Sequence, residues 1–321
     1  MEKFWDKYPE IKTELQSVVD LMKTSTKCRD KIVETSIHDL INSGGKMLRP
    51  AFVLISSKFG DYKEERAHAM AAVVELIHMA TLVHDDVIDD SKLRRGQETI
   101  QSKYGKDYAV YIGDFLFCVC FKILASTSSL SSIKIDSNSM SRICLGEIDQ
   151  MNSRFTKNIS VKKYLSRISA KTAELFSLAL YSGAAESGCD EKINKLFWNI
   201  GHNIGMAFQI IDDILDYTGN EKSIKKTAAN DLRQGIYTLP VIYAIQSNSS
   251  SLEPILMKDS YSEEDIKVIV SLVNKEGGVK KSTRLAERYT EKAFKLIKRL
   301  PENEYKYILT NITKELLQRS Y

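Results

Sequence analysis

The sequence predicts an all-α protein, and three observations carry that prediction. Residues that break helices are scarce, with 5 prolines and 15 glycines among 321 residues; an all-β chain of this size needs many more turn formers. Apolar residues recur at helical spacing over most of the chain. Residues 66–84 and 108–125 are nearly continuously apolar, as central helices buried on most sides are. The composition, 43% hydrophobic and 27% charged, is that of an ordinary globular protein and excludes a mainly disordered chain.

The elements follow in order. Ile11, Leu15, Val18, Val19 and Met22 mark one buried face of a first helix. Ser43-Gly44-Gly45 ends a second. The segment 66–84 is interrupted only by a few polar residues, Glu75 and His78 among them. Residues 108–125, 171–186 and 196–217 read as further apolar helices. Ser126 to Ser132 and Asn248 to Ser251 are serine-rich connections, and Thr218 to Gly235 is a polar, basic loop long enough to be functional. From Ser262 onward the chain is more amphipathic, like an outer layer. No linker separates two independent cores, so residues 1–321 are expected to form one large helical domain.

The formal charge is +4 from 46 cations and 42 anions. The cations are scattered, which argues against a nucleic-acid platform. Five cysteines, with no C-x-x-C pair, argue against a disulfide framework or zinc cluster and fit a cytoplasmic protein. The first residues have no secretion-signal pattern, and the longest uninterrupted apolar run, Phe115 to Phe121, is too short to span a bilayer.

Chemistry concentrates in two places. Asp85-Asp86-Val87-Ile88-Asp89 and Asp212-Asp213-Ile214-Leu215-Asp216 share the pattern Asp-Asp-x-x-Asp, 127 residues apart, and each closes a long apolar helix. Asp85 and Asp89 share a helix face, as do Asp212 and Asp216. Aspartate is a poor helix-interior residue, costing up to about 0.7 kcal/mol against alanine, and like charges at i,i+4 cost a further ~0.2–0.5 kcal/mol. The helix dipole disfavours anions at a C-terminal end. A solvated helix end is the plain reading of one such cluster. Two copies at two apolar helix ends point instead to Mg²⁺, which takes carboxylate oxygens, keeps waters and bridges to substrate phosphates.

Basic groups accompany the acids. Gly44-Gly45-Lys46-Met47-Leu48-Arg49-Pro50 sets flexible backbone beside two cations, as a diphosphate needs; a helix cap followed by a proline-started helix is the alternative. Arg94-Arg95-Gly96 follows Asp89 by five residues. Its arginines either neutralise the cluster or serve two diphosphates. His78 lies two turns before Asp85, Lys171-Thr172 is expected to open a helix, Gln209 shares the helix of Asp212, and Lys225-Lys226 follows the second acid cluster.

With Gly113-Asp114 and Gly146-Glu147, these motifs resemble the trans-isoprenyl diphosphate synthases across residues 38–240, closest to bacterial medium- and long-chain synthases such as the catalytic component of heptaprenyl diphosphate synthase. The resemblance implies an all-α fold around a deep central cavity, usually a homodimer, that condenses an allylic diphosphate head-to-tail with isopentenyl diphosphate. It implies that Lys46, Arg49, His78 and Arg95 bind isopentenyl diphosphate. Arg94, Lys171, Thr172, Gln209 and Lys226 correspond to allylic diphosphate ligands. Asp85, Asp89, Asp212 and Asp216 correspond to the carriers of about three Mg²⁺, with Asp86 and Asp213 in support; these four acids and Lys171 form the catalytic set. The chain departs from the family in the loop 225–231, where Gly-Lys-Pro and further glycines are usual.

In short-chain relatives bulky aromatics just above the first aspartate form the product floor. Here Ala80 and Thr81 occupy those positions, which implies a deeper floor near Ile77, Val73 and Val74, with Leu116, Phe117 or Phe121 from a neighbouring helix. A product of about 30 to 40 carbons is expected, with a C20–C25 product as the alternative. A class I terpene cyclase would carry Asn/Asp-x-x-Ser/Thr-x-x-x-Glu as its second motif and needs no second diphosphate site. A non-catalytic subunit need not keep both acid motifs, although a catalytic chain that requires a small partner stays open. A di-iron bundle needs a second copy of the Glu75-x-x-His78 half-site.

Overall fold

The computed structural model describes residues 3–43, 45–156, 160–218, 231–258 and 260–317. Gly44, Lys225 and Lys226 lie outside the described residues, as does most of the loop 225–231. Among the described residues the chain forms fifteen α-helices, one turn of π-helix and one two-stranded hairpin, which bears out the all-α expectation. The helices are α1 (Pro9–Ser25), α2 (Lys31–Asn42), α3 (Leu48–Ser57), α4 (Glu64–Ile88), α5 (Ile100–Tyr104), α6 (Lys106–Thr127), α7 (Leu130–Asn152), α8 (Val161–Ile168), α9 (Glu174–Glu186), α10 (Glu191–Thr218), α11 (Leu239–Ser247), α12 (Ser249–Leu256), α13 (Glu263–Lys275), α14 (Gly278–Ile297) and α15 (Glu304–Leu317). Strands β1 (Leu93–Arg94) and β2 (Gln97–Glu98) pair antiparallel, and the π-turn is Ser169–Ala173.

The backbone divides into two compact units. The first comprises Met1–Met140, Leu178–Trp198 and Pro301–Tyr305. Its axis is α4, whose residues from Ala67 to Ala80 are buried except at Glu75 and His78. An all-round apolar helix is stable only when neighbours cover every face, and α1, α3 and α6 do so. Ile11, Leu15, Val18 and Met22 of α1 are buried as their spacing predicts, and the Asp30 carboxylate caps α2 by accepting from Ile32 N and Val33 N. A 3₁₀ turn (Lys3–Lys7) precedes α1, and its buried Trp5 donates from Nε1 to the Lys46 carbonyl at 2.7 Å. That bond ties the chain start to the glycine–lysine segment before α3.

The second unit comprises Ser141–Ser177, Asn199–Leu300 and Lys306–Tyr321. Here α11 packs against α13 and α14. Ser262 and Asp265 form a reciprocal capping box at the start of α13.

Three boundaries differ from the sequence reading. The serine-rich stretch after α6 shrinks to Ser128 and Ser129, because Ser126 and Thr127 return their hydroxyls to the Ile123 carbonyl and stay helical. The connection at 248–251 shrinks to Asn248. Lys171 and Thr172 do not open a helix; they sit in the π-turn between α8 and α9. By length and composition α4 and α6 are apolar enough to cross a membrane, which counting uninterrupted runs did not reveal; 72% of the apolar window of α4 and 44% of that of α6 are buried in the fold.

Candidate active site

The first acid motif ends α4. Asp85 and Asp86 lie in its last turn and Asp89 caps it, with the Asp89 N–H donating to the Asp85 carbonyl at 2.8 Å. The three carboxylates divide by exposure. Asp85 and Asp89 are half-exposed, whereas Asp86 is buried. Arg94 holds Asp86 with Nε at 2.9 and 3.1 Å from its two oxygens and Nη2 at 2.8 Å. Burial raises the Asp86 pKa, and the Arg94 guanidinium works against that rise.

The hairpin that carries Arg94 turns through Arg95 at φ +51° and Gly96 at φ +80°. Two left-handed residues in a two-residue loop match the twist of the flanking strands. The turn sends the adjacent arginines apart. Arg94 goes to Asp86, and the Arg95 guanidinium lies over Gly45, where a Cβ would stand 3.0 Å from Nη1. A cavity of about 30 Å³ is lined there by Gly45, Glu75, His78, Arg94 and Arg95, among others. Burial first, then the positive fields of Arg49, Arg95 and Arg94, lower the His78 pKa well below its ordinary value, so its imidazole is neutral at pH 7. Burial raises the Glu75 pKa while Arg49 and Arg95 oppose the rise. Glu75 thus lies in the positive fields of Arg49 and Arg95. Lys46 Nζ sits 5.7 Å from the centre of the Phe4 ring.

Gly113 and Asp114 lock the end of α4. His84 Nε2 lies 3.3 Å from Asp114 Oδ1 and 3.2 Å from the Val110 carbonyl, and a Cβ at Gly113 would stand 2.3 Å from it. The motif therefore fixes the residue that precedes Asp85.

The second acid motif repeats the division. On α10, Asp212 and Asp216 are half-exposed and Asp213 is buried. Tyr164 Oη donates to Asp213 Oδ2 at 2.6 Å, and Gln209 Nε2 donates to Oδ1 at 2.8 Å. Thr172 Oγ1 in turn donates to Gln209 Oε1 at 2.7 Å, which fixes the amide orientation. Burial pushes the Asp213 pKa up to about 7, with the Tyr164 and Gln209 hydrogen bonds opposing it. Lys171 Nζ donates to Glu147 Oε2 at 2.7 Å. Gly146 makes that contact possible, since a Cβ there would stand 2.8 Å from Ala170 Cβ and 3.1 Å from the Lys171 amide nitrogen.

In both motifs the middle aspartate faces the protein and the outer pair faces outward. The structure thus brings Asp86 to Arg94, and Asp213 to Gln209, Thr172 and Tyr164. Among the described residues no three His, Cys, Asp or Glu side chains stand close enough together to hold a metal ion. The donor chemistry still fits Mg²⁺, which needs only one or two protein carboxylates when waters and phosphate oxygens complete its shell. Tyr164 and the ion-pairing role of Glu147 escaped the sequence reading; tyrosine seven residues before Lys171 carries no signal of its own.

Along α4, Ala80, Ile77, Val73 and Val74 are buried and Thr81 is half-buried, its hydroxyl donating to the His78 carbonyl at 2.8 Å. Leu116 is buried and Phe117 lies against His84. Phe121 is 46% exposed, which removes it as a floor within this unit.

A helical scaffold with two Asp-Asp-x-x-Asp helix ends, the first backed by Arg94 and the second by Tyr164 and Gln209, fits a diphosphate-handling enzyme. Comparison with known proteins places it further. Residues 30–273 match the family model for polyprenyl synthetase. The chain is 37% identical over 288 residues to heptaprenyl diphosphate synthase component 2 of Bacillus subtilis (strain 168), covering 90% of this chain and 82% of that one. A solved geranylgeranyl pyrophosphate synthase from Lactobacillus brevis ATCC 367 superposes with a TM-score of 0.95 at 37% identity and 99% coverage of both chains. A polyprenyl synthase from Caulobacter crescentus CB15, solved with calcium and isoprenyl diphosphate, superposes with a TM-score of 0.90 at 31% identity, covering 97% of this chain and 96% of that one. The chain belongs to the polyprenyl synthetase family and is a prenyltransferase, a trans-prenyl diphosphate synthase acting on prenyl diphosphates.

Proposed function

We propose that this enzyme extends farnesyl or geranylgeranyl diphosphate with isopentenyl diphosphate to an all-trans product of about 30 to 40 carbons, using about three Mg²⁺ per active site. The observation that carries the product length is the small, buried Ala80 one turn before the aspartates. The heptaprenyl relative supports a product in this range, whereas the similarity to a geranylgeranyl synthase keeps a C20 product as the alternative outcome.

Chemically, Lys46, Arg49, Arg95 and neutral His78 bind isopentenyl diphosphate. Arg94, Lys171, Thr172, Gln209 and Lys226 hold the allylic diphosphate, and Asp85, Asp89, Asp212 and Asp216 hold the metal. Bound Mg²⁺ supplies stabilisation of the charge that grows on the departing diphosphate. The allylic C–O bond breaks, and the electron pair leaves with pyrophosphate. The double bond of isopentenyl diphosphate then attacks the allylic cation, and pyrophosphate takes the proton released as the new double bond forms. The apolar residues of α4 exclude water that would quench the cation. Asp86 and Asp213 support the outer acids from behind.

We further propose a cytoplasmic homodimer of single-domain chains, with α6 at the interface. Val110, Tyr111 and Phe121 of this apolar helix are exposed, and a second copy would cover them. The word component in the B. subtilis relative's name supports a small accessory subunit as the competing assembly.

The test is to incubate the pure chain with Mg²⁺, isopentenyl diphosphate and farnesyl diphosphate and weigh the product. A C30–C40 ladder supports the proposal; a C20–C25 product overturns the chain length. Inactivity that a small partner restores overturns the homodimer, and inactivity under every condition overturns the function.

A further inference from the structure

The π-turn that carries Lys171 is clamped from both sides by α7. Arg142 Nη1 lies 3.3 Å from Glu174 Oε2, just past the turn, and Glu147 Oε2 lies 2.7 Å from Lys171 Nζ, within it. The two ion pairs run in opposite polarity across the same contact, with Gly146 pressed on Ala170 between them. A single π-turn inside a helical run is rare and is found often at a functional site.

Glu174 is buried, so the outer pair serves the fold. The inner pair is different. Glu147 and Lys171 side chains keep 17% and 26% exposure, enough for a ligand to reach the ammonium. A carboxylate at this distance does two things to a diphosphate-binding lysine. It restricts a side chain that otherwise has many rotamers. It also places one negative charge beside whatever anion the lysine holds. An enzyme that must release pyrophosphate in every cycle benefits from that second effect.

We propose that Glu147 is a positioning residue for prenyl transfer, fixing the Lys171 ammonium on the π-turn and weakening its hold on pyrophosphate so that the product leaves. The inference rests on the reading of Lys171 as an allylic diphosphate ligand. Glutamine separates the two effects, because its amide oxygen still accepts from Lys171 while the charge is gone.

The experiment is calorimetric titration of inorganic pyrophosphate, with Mg²⁺ present, into the wild type, Glu147→Gln and Glu147→Ala. Glu147→Gln is expected to bind pyrophosphate about tenfold tighter, the scale of one unit charge acting across a part-solvated site. Its steady-state kcat should fall while its single-turnover rate holds. Glu147→Ala should lose single-turnover rate as well, since the contact Glu147 makes with the ammonium is gone. A purely structural glutamate predicts the reverse for Glu147→Gln: equal or weaker pyrophosphate binding with a lowered melting temperature, and binding that is no tighter overturns the proposal. Should Glu147→Gln not fold, Glu147→Asp, which draws the charge back by one methylene, must tighten binding in the same direction by a smaller factor, and no tightening there is equally decisive. A wild type that makes no prenyl product overturns the underlying reading; a wild type that turns over, with variants that bind pyrophosphate no tighter, overturns only the role of Glu147.

Discussion

At the scale of single residues, neighbouring aspartates in one motif have opposite environments. Asp85 is half-exposed, and Asp86 is buried against Arg94. Changing Asp85 to Asn should leave the melting temperature within a degree or two while kcat/KM falls by about 10²–10³, the usual effect of losing one group that stabilises transition-state charge. Asp213 supplies the complementary case, because two of its hydrogen-bond donors are named side chains. Changing Tyr164 to Phe removes the donor at 2.6 Å and leaves a buried carboxyl oxygen short of a partner. That should cost about 1–3 kcal/mol, read as a lower urea midpoint at pH 7. An unchanged midpoint would mean that water or another donor takes the place of the phenol.

At the scale of elements, α4 carries both the first acid motif and the positions proposed to set product length. One turn separates Ala80 from the aspartates, and its side chain is fully buried. Placing Phe there should shorten the product by at least one five-carbon unit, read on reversed-phase chromatography; an unchanged ladder removes α4 as the ruler. The buried course of this helix was legible in the sequence because continuous apolarity has one stable solution, burial on all sides. The acid motifs were legible because adjacent charges at a helix end oppose local stability. The π-turn was not legible, since the groups packed on it, Gly146 and Glu147, come from another helix, and Lys171-Thr172 reads locally like the start of a helix. The divergence of Arg94 and Arg95 was equally hidden. It follows from left-handed backbone at Arg95, a residue with no preference for that conformation. Tyr164 meets Asp213 across 49 residues, a distance over which a lone sequence gives no pairing signal.

At the scale of the whole molecule, buried acids make stability depend on pH in two opposed ways. Glu14 accepts from Lys58 at 2.8 Å and from Tyr62, and lies beside His68. These hydrogen bonds, against an opposing burial effect, hold its pKa down to about 2. A depressed carboxylate stabilises the fold above its unfolded value of 4.5, and that stability is lost as pH falls toward 2. Asp136 on α7 acts in the other direction. Both its oxygens are buried without a hydrogen-bond partner, as is Oε1 of Glu186 on α9. Burial, reinforced by the Glu186 charge, pushes its pKa up from 3.8 to about 7. Cys120 of α6 and Tyr181 of α9 feel the Asp136 charge in turn. A raised acid binds its proton more tightly in the folded state, so its contribution is full below pH 3.8 and is lost as pH rises through about 7. The loss has an upper bound on the order of 4 kcal/mol, from a shift of roughly three pH units. Urea unfolding between pH 5 and pH 8 should therefore show stability falling as pH rises. Changing Asp136 to Asn should flatten that slope and leave the protein more stable than wild type, by a larger margin at pH 8 than at pH 5. If the wild type gains stability over this range, or if Asp136→Asn keeps the same slope, the buried pair already shares its charge with a compensating cation and the pH dependence belongs to other groups.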